Sequence, residues 1–293
     1  MKREDTYFPT VGVIAPSHIA DLFQSAALNL GINLRTHTND TMELESLSAF
    51  ASQCDLITFA GLSIPLSTIK SLESQVHKVY PSSQTYEQTG RFSQDSKAKA
   101  GLSVLIARSA HGQATTWVPT RLHQIDGDCV MTISPATELA LAISVKAQEQ
   151  VLHLAQEISL IGVAAVVMNE QLEIAEVRTG PDITGMWTLD GSRTDQFEQH
   201  LRAILDLPLG DPGTTDAFTV MSTYTFGEKR DMYRPYLHLM ARSPKMKFHQ
   251  YTSTHDIASQ DVAGHLCIGG NNPIELIEEC EHARDYMSAV IDE

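Results

Sequence analysis

The sequence predicts an α/β unit on a parallel sheet followed by an α+β unit on an antiparallel sheet. Three observations carry this. Between residues 11 and 76, short apolar runs alternate with amphipathic stretches, the pattern of repeated β-α units. From residue 81 to residue 101 the composition shifts to Ser, Gln, Thr and Lys with almost no aliphatic residue, which marks a joint. Beyond the joint, hairpin patterns take over. A length of 293 residues with 42% hydrophobic content suits about two domains.

In chain order, residues 11–15 read as a buried strand and 19–30 as a helix, with Leu22, Phe23, Ala26, Ala27 and Leu30 at helical spacing and Gly31 as the stop. Strands at 33–37 and 56–59 and helices at 41–54 and 64–76 complete the first unit. In such units ligands sit beyond the carboxyl ends of the strands, which points to the loop at 15–19. Residues 103–108 and 115–118 flank His111-Gly112 as a hairpin, and 131–134 reads as another strand. Residues 138–159 form a long helix with Ala147, Val151, Leu154, Ala155 and Ile158 on one stripe. Residues 161–168 and 172–177 form a second hairpin, 194–205 a helix, and 217–224, 236–241 and 265–269 strands. Pro273 opens a last helix to about Ile291.

The charge excludes some partners. With 36 acidic against 21 basic residues, the formal net charge is −15, whereas a nucleic-acid binder needs a positive surface to displace counterions. No window has the roughly 20 apolar residues of a membrane helix, and Met1-Lys2-Arg3-Glu4-Asp5 lacks a signal peptide's apolar stretch, so a cytoplasmic protein is expected. Cys54, Cys129, Cys267 and Cys280 lie far apart with no C-x-x-C pair, which reads as reduced thiols. The 12 histidines include no short pair that would place two imidazoles on one helix face, which disfavours metal chemistry.

Trp187-Thr188-Leu189-Asp190, the run from Thr194 through Gln196-Phe197-Glu198-Gln199-His200-Leu201-Arg202 to Ala203, and Leu207-Pro208-Leu209-Gly210-Asp211 together resemble the signature of 5-(carboxyamino)imidazole ribonucleotide synthases. The likeness extends upstream through Ser103-Val104-Leu105-Ile106-Ala107-Arg108 and Gln94-Asp95. Downstream, Leu237-His238-Leu239 and Gly264-His265 resemble the family's closing strands. It implies a Rossmann-like, pre-ATP-grasp domain over 1–80, a polar joint over 81–101, an ATP-grasp large domain over 102–211, and a β-rich C-terminal segment with a final helix over 212–293. It also implies ATP-dependent carboxylation of 5-aminoimidazole ribonucleotide in purine biosynthesis, assisted by two magnesium ions, and a homodimer.

The departures from the family pattern are as informative. The small lid domain that supplies most of the ATP site is absent, because only residues 96–101 separate Gln94-Asp95 from Leu102. The first magnesium-binding glutamate falls on Val167, and the Asn-Glu pair falls on Ala175 and Glu176, leaving Glu176 as a weak metal ligand. The glycine-rich loop after the first strand is replaced by Ala15-Pro16-Ser17-His18, in which Ser17 is expected to cap the following helix. The acidic stretch after the third strand has become Phe59-Ala60-Gly61-Leu62-Ser63, and the Arg-Lys pair before Gly264-His265 falls on Asp261-Val262. Ser17, His18, Arg178, Arg242 and His265 are the candidate remnants of the ribonucleotide pocket. With these losses no cofactor is expected, neither ATP nor Mg2+, and the departures point to a non-catalytic binding or regulatory scaffold; a further reading is complementation of an intact synthase or of the downstream mutase. The alternative is a residual or altered ligase whose lid comes from a partner.

Overall fold

The computed structural model describes residues 8–38, 43–75, 78–92, 101–125, 128–225, 233–251 and 262–288. Gln94, Asp95, Lys97, Lys99, Asp261 and the expected last turn at Ile291 lie outside the described residues. The first sheet is parallel, as predicted. Strands β1 (Val11–Ile14), β2 (Leu34–His37), β3 (Leu56–Phe59) and β4 (Val79–Tyr80) take the order β2-β1-β3-β4, and the helices α1 (Ser17–Leu30), α2 (Leu44–Ala51) and α3 (Leu66–Glu73) connect them. The central strands β1 and β3 are buried throughout, which is why both read as unbroken apolar runs. Helix α1 stops where Gly31 adopts a left-handed φ of 69°, a conformation that costs glycine no steric penalty. Its other end corrects an expectation. Pro16 holds the N-cap position with no side-chain cap bond, and Ser17 is already the first helical residue.

The polar joint contains a helix that periodicity did not reveal. Helix α4 (Ser83–Gly90) is capped by Ser82, whose hydroxyl accepts from the Thr85 N–H at 3.2 Å. It buries only Thr85 and Thr89, so no apolar stripe announces it. The Thr85 hydroxyl donates to the Ser159 carbonyl at 3.2 Å and ties α4 to the second unit.

That unit is one large sheet. It contains β5 (Leu102–Arg108), β6 (Ala114–Thr116), β7 (Thr120–Ile125), β8 (Asp128–Ser134), β9 (Gly162–Met168), β10 (Ile174–Thr179), β11 (Phe218–Thr225), β12 (Lys247–Gln250) and β13 (Val262–Gly270). Its order is β10-β9-β5-β7-β8-β11-β13-β12, with β6 paired to β5 and every pairing antiparallel. Strands β7 and β12 escaped the sequence reading because TRLHQI and KFHQ are mostly polar. Helix α5 (Leu141–Glu157) covers one face, where Ala147, Val151 and Leu154 meet Leu102, Val104, Ala164 and Val166. The other face receives α6 (Thr188–Gly191) and α7 (Gln196–Ile204). Phe197, Leu201 and Ile204 share one core cluster with Val11, Phe23 and Ala27 of the first unit.

Residues 236–241, expected as a strand, belong instead to helix α8 (Tyr233–Arg242). A six-residue apolar run does not distinguish a strand from a helix, and here Leu239 alone is buried, on the side facing α9 (Pro273–Met287). The expected helix at 194–205 holds, with Asp195 as its cap: one carboxylate oxygen accepts from the N–H groups of Phe197 at 2.7 Å and Glu198 at 3.0 Å. Asp195→Ala is therefore expected to cost about 1–2 kcal/mol, read as a lower urea midpoint with an unchanged slope. A midpoint within error of the parent would contradict this role.

Candidate functional site

The two units meet at His200. The Val163 backbone N–H can only donate, so Nδ1 of His200 accepts it at 3.0 Å, and the ring proton sits on Nε2, facing the Thr58 hydroxyl at 2.7 Å. Thr58 lies on β3, Val163 on β9 and His200 on α7, so one neutral imidazole joins the parallel sheet to the antiparallel one. Phe23 of α1 packs edge-on against both His200 and Phe197, at 5.5 and 5.2 Å between ring centroids. Burial pulls the His200 pKa down to about 3. Gly162 makes room for the ring: its φ is 110°, and a Cβ there would lie 2.7 Å from His200 Cε1. Gly162→Ala combines backbone strain with a clash and is expected to destabilise by about 2–4 kcal/mol, measured as a thermal melting shift. An unshifted melt would show that the ring does not need this space.

Beyond the carboxyl end of β1, where the sequence placed a ligand loop, an aromatic network joins α1 to the antiparallel sheet. His18, on the first turn of α1, stacks on Tyr251 with centroids 4.3 Å apart and planes at 18°. The Tyr251 hydroxyl meets Nδ1 of His265 at 2.9 Å. His265 in turn stacks on His249 at 4.5 Å, and Nε2 of His249 meets the Asp190 carboxylate at 2.7 Å. Burial lowers the pKa of His18, opposed in part by Asp21, and holds that of His265 well below its ordinary value. Nε2 of His265 is buried and finds no hydrogen-bond partner among the described residues.

Arg178 and Glu176 occupy β10, at the opposite edge of the antiparallel sheet from β12 and β13, which carry His249 and His265. The Arg178 guanidinium donates to Glu176 at 2.7 Å and lies 3.6 Å from Asp182. Burial alone would lower the Arg178 pKa, but the Glu176 hydrogen bond and the charges of Asp182 and Glu176 outweigh it and raise it. Cys129, pushed up to about 12 by burial and by Asp182, is within electrostatic reach of both Arg178 and Tyr251. Val167 is 1% exposed and packs with Leu122, Cys129 and Ile183. A magnesium ion does not fit this donor set, because one expected ligand is a buried valine and Glu176 is held by a cation. Among the described residues no group of three or more His, Cys, Asp or Glu side chains is placed to hold a metal.

Of the sequence candidates, the structure brings His18 and His265 into one network and sets Ser17 next to it on α1, while Arg178 and Glu176 pair with each other on β10. Arg242 stands apart at the end of α8, 3.4 Å from Glu279 of α9. Sequence reasoning missed His249, Tyr251, Asp190, Thr58 and His200 as site residues. Thr58, His200 and Asp190 were visible only as members of strings that resemble the family, and no local pattern marked the others.

Comparison with known proteins agrees with this geometry. Residues 74–197 match the ATP-grasp domain family. The chain is 36% identical over 194 residues to the N5-carboxyaminoimidazole ribonucleotide synthase of Mycobacterium bovis, covering 64% of this chain and 45% of that protein. It is 35% identical over 116 residues to the Bacillus subtilis synthase, covering 38% and 30%. The chain thus spans about half the length of the mycobacterial relatives it matches. In fold it is similar to the synthetase from Thermus thermophilus, with a TM-score of 0.80 at 16% identity over 94% of this chain and 98% of the other. A synthase from Aspergillus clavatus, solved with ADP and 5-aminoimidazole ribonucleotide, gives 0.82 at 17% identity over 97% and 99%. No helix among the described residues is long and apolar enough to cross a membrane. Residues 74–197 are therefore similar to the ATP-grasp domain family, and the chain is similar to the N5-carboxyaminoimidazole ribonucleotide synthases in sequence over 64% of its length and in fold over nearly all of it.

Proposed function

We propose that this chain is a non-catalytic relative of the synthases, a binding or regulatory scaffold attached to purine biosynthesis. The supporting observation is the salt bridge between Arg178 and Glu176 beside a buried Val167. A guanidinium about 4 Å from a divalent ion repels it by roughly 8 kcal/mol at an effective dielectric of 20, and it already neutralises the Glu176 carboxylate. The short joint supports the same reading, since residues 93–100 are all that lie between Phe92 and Gly101. A sheet able to cover a triphosphate needs several strands of about five residues each. The chain then keeps the signature of the family in its packing: Trp187, Phe197 and Leu201 are fully buried in the core shared by both units.

The test is phosphate release from ATP with Mg2+, bicarbonate and 5-aminoimidazole ribonucleotide, alongside thermal melting with MgATP. A rate equal to the buffer control and an unmoved melt are expected. Turnover by the chain alone would overturn the scaffold reading. Turnover that appears only on adding a partner would favour the second reading, a ligase whose lid is supplied in trans. Size-exclusion chromatography with an intact synthase, and with the chain alone, tests a hetero-complex against a homodimer.

A further inference from the structure

We propose that helices α8 and α9 form the surface through which two copies of this chain pair. The charges are divided between the two helices. Residues 233–247 carry Arg234, Arg242, Lys245 and Lys247 and no acidic residue, although acids outnumber bases by 36 to 21 in the whole chain. Helix α9 is the reverse, with Glu275, Glu278, Glu279, Glu281 and Asp285 against the single base Arg284. Among the described residues Arg242 and Glu279 form the one ion pair between the helices, at 3.4 Å. Arg234, Lys245, Lys247, Glu278 and Glu281 are exposed and have no ion-pair partner among the described residues.

The apolar residues mark the same surface. Helix α8 turns Leu239 to the core and shows Tyr233, Leu237 and Met240 to solvent, at the i, i+4 and i+7 spacing of a helix that packs against another. Ile274, 66% exposed on the first turn of α9, adds to the patch.

Charge then fixes how two copies meet. The helices run antiparallel side by side, since His238 meets His282 and Arg242 meets Glu279. A twofold axis in the plane of contact can lie across the helices or along them. Across them, α8 would stack on the α8 of the second copy, base upon base. Along them, each α8 lies on the second copy's α9, base upon acid, and every contact occurs twice. An anionic lipid surface that attracted α8 would repel α9 beside it, so a second copy fits the face better than a membrane does. Two helices of 10 and 15 residues, each about 10 Å wide, cover roughly 400 Å², against about 800 Å² per partner in a standard stable interface. The pairing is therefore weak and reversible. It does not depend on whether the chain turns over ATP.

The experiment is sedimentation equilibrium of the full chain. A monomer–dimer equilibrium with a Kd between about 1 and 100 μM is expected at about 50 mM salt, weakened at least about threefold at about 300 mM. Leu237→Asp puts an acid into the apolar stripe and should weaken pairing at least about tenfold. Lys245→Glu and Glu278→Lys should each weaken it at least about threefold, and the double variant should recover most of that loss, because the two reversals restore opposite charges across the axis. All three residues are exposed, so the melts of these variants should match the parent. A chain that stays monomeric at about 200 μM would overturn the proposal. So would a dimer that none of these variants weakens, which would place the contact elsewhere. Binding of the monomer to phosphatidylserine vesicles, lost in Lys245→Glu, would assign the face to a membrane instead.

Discussion

Replacing His200 by alanine is expected to lower the melting temperature by about 10 °C, corresponding to about 3–5 kcal/mol. Two costs add. The ring is fully buried against Phe23, so its removal leaves a cavity in the core common to both sheets. It also strands the Val163 N–H and the Thr58 hydroxyl, each of which costs about 1–3 kcal/mol when left buried without a partner. His200→Asn separates the two. Its side-chain oxygen can accept the Val163 N–H as Nδ1 does, so it should recover part of the loss, and His200→Phe should recover packing but neither hydrogen bond. Thr58→Val removes only the second partner and is expected to cost about 1 kcal/mol. Differential scanning calorimetry decides, and an alanine variant that melts within 2 °C of the parent (roughly 1 kcal/mol or less) would sink the bridge as a stabilising element.

Lowering the pH from 6.5 to 5 is expected to remove about 2 kcal/mol of stability through His200, which is buried in its neutral form. The sign follows from proton uptake. His200 has a folded pKa of about 3 against an unfolded value near 6.5, so between those limits the unfolded chain binds the proton and the folded chain does not. Stability is full above 6.5 and falls by about 1.4 kcal/mol per pH unit down to the folded value. His265, depressed in the same direction by burial and by the neighbouring His249 and His18, contributes in the same sense. His18 contributes in the same sense over a narrower range. The window from 6.5 to 5 is chosen because carboxylates begin to matter below it: burial raises the Asp195 pKa, which opposes the histidine effect there. Urea titrations at half-unit steps measure the slope. A slope near zero would mean that neither imidazole is neutral in the folded chain, and in His200→Asn the slope should fall by about one proton.

The legibility of the fold in the sequence tracked burial. Strands β1, β3 and β9 were read directly because both faces of each are covered, so their residues form unbroken apolar runs. Helix α4 and strands β7 and β12 were invisible because each buries few apolar side chains and leaves no period to detect. Helix α8 was misread for the opposite reason: Tyr233, Leu237 and Met240 are exposed, so their apolarity does not report a core face. The matched string from Trp187 to Asp211 carried the family, and its residues prove to be chiefly packing and capping positions, Trp187, Asp195, Phe197 and Leu201 among them.

By itself the sequence determined the parallel-then-antiparallel order of the two units and the kinship with the synthases. These depend on residue type along the chain. Only the tertiary structure decided which side chains meet: Thr58 with His200 across 142 residues, His18 with Tyr251, and His238 with His282. Spacing along one helix excluded a histidine pair, yet two helices packed side by side made one. Hydrogen bonds and ring contacts are set by ångström distances between separate elements, and no period within an element encodes those distances.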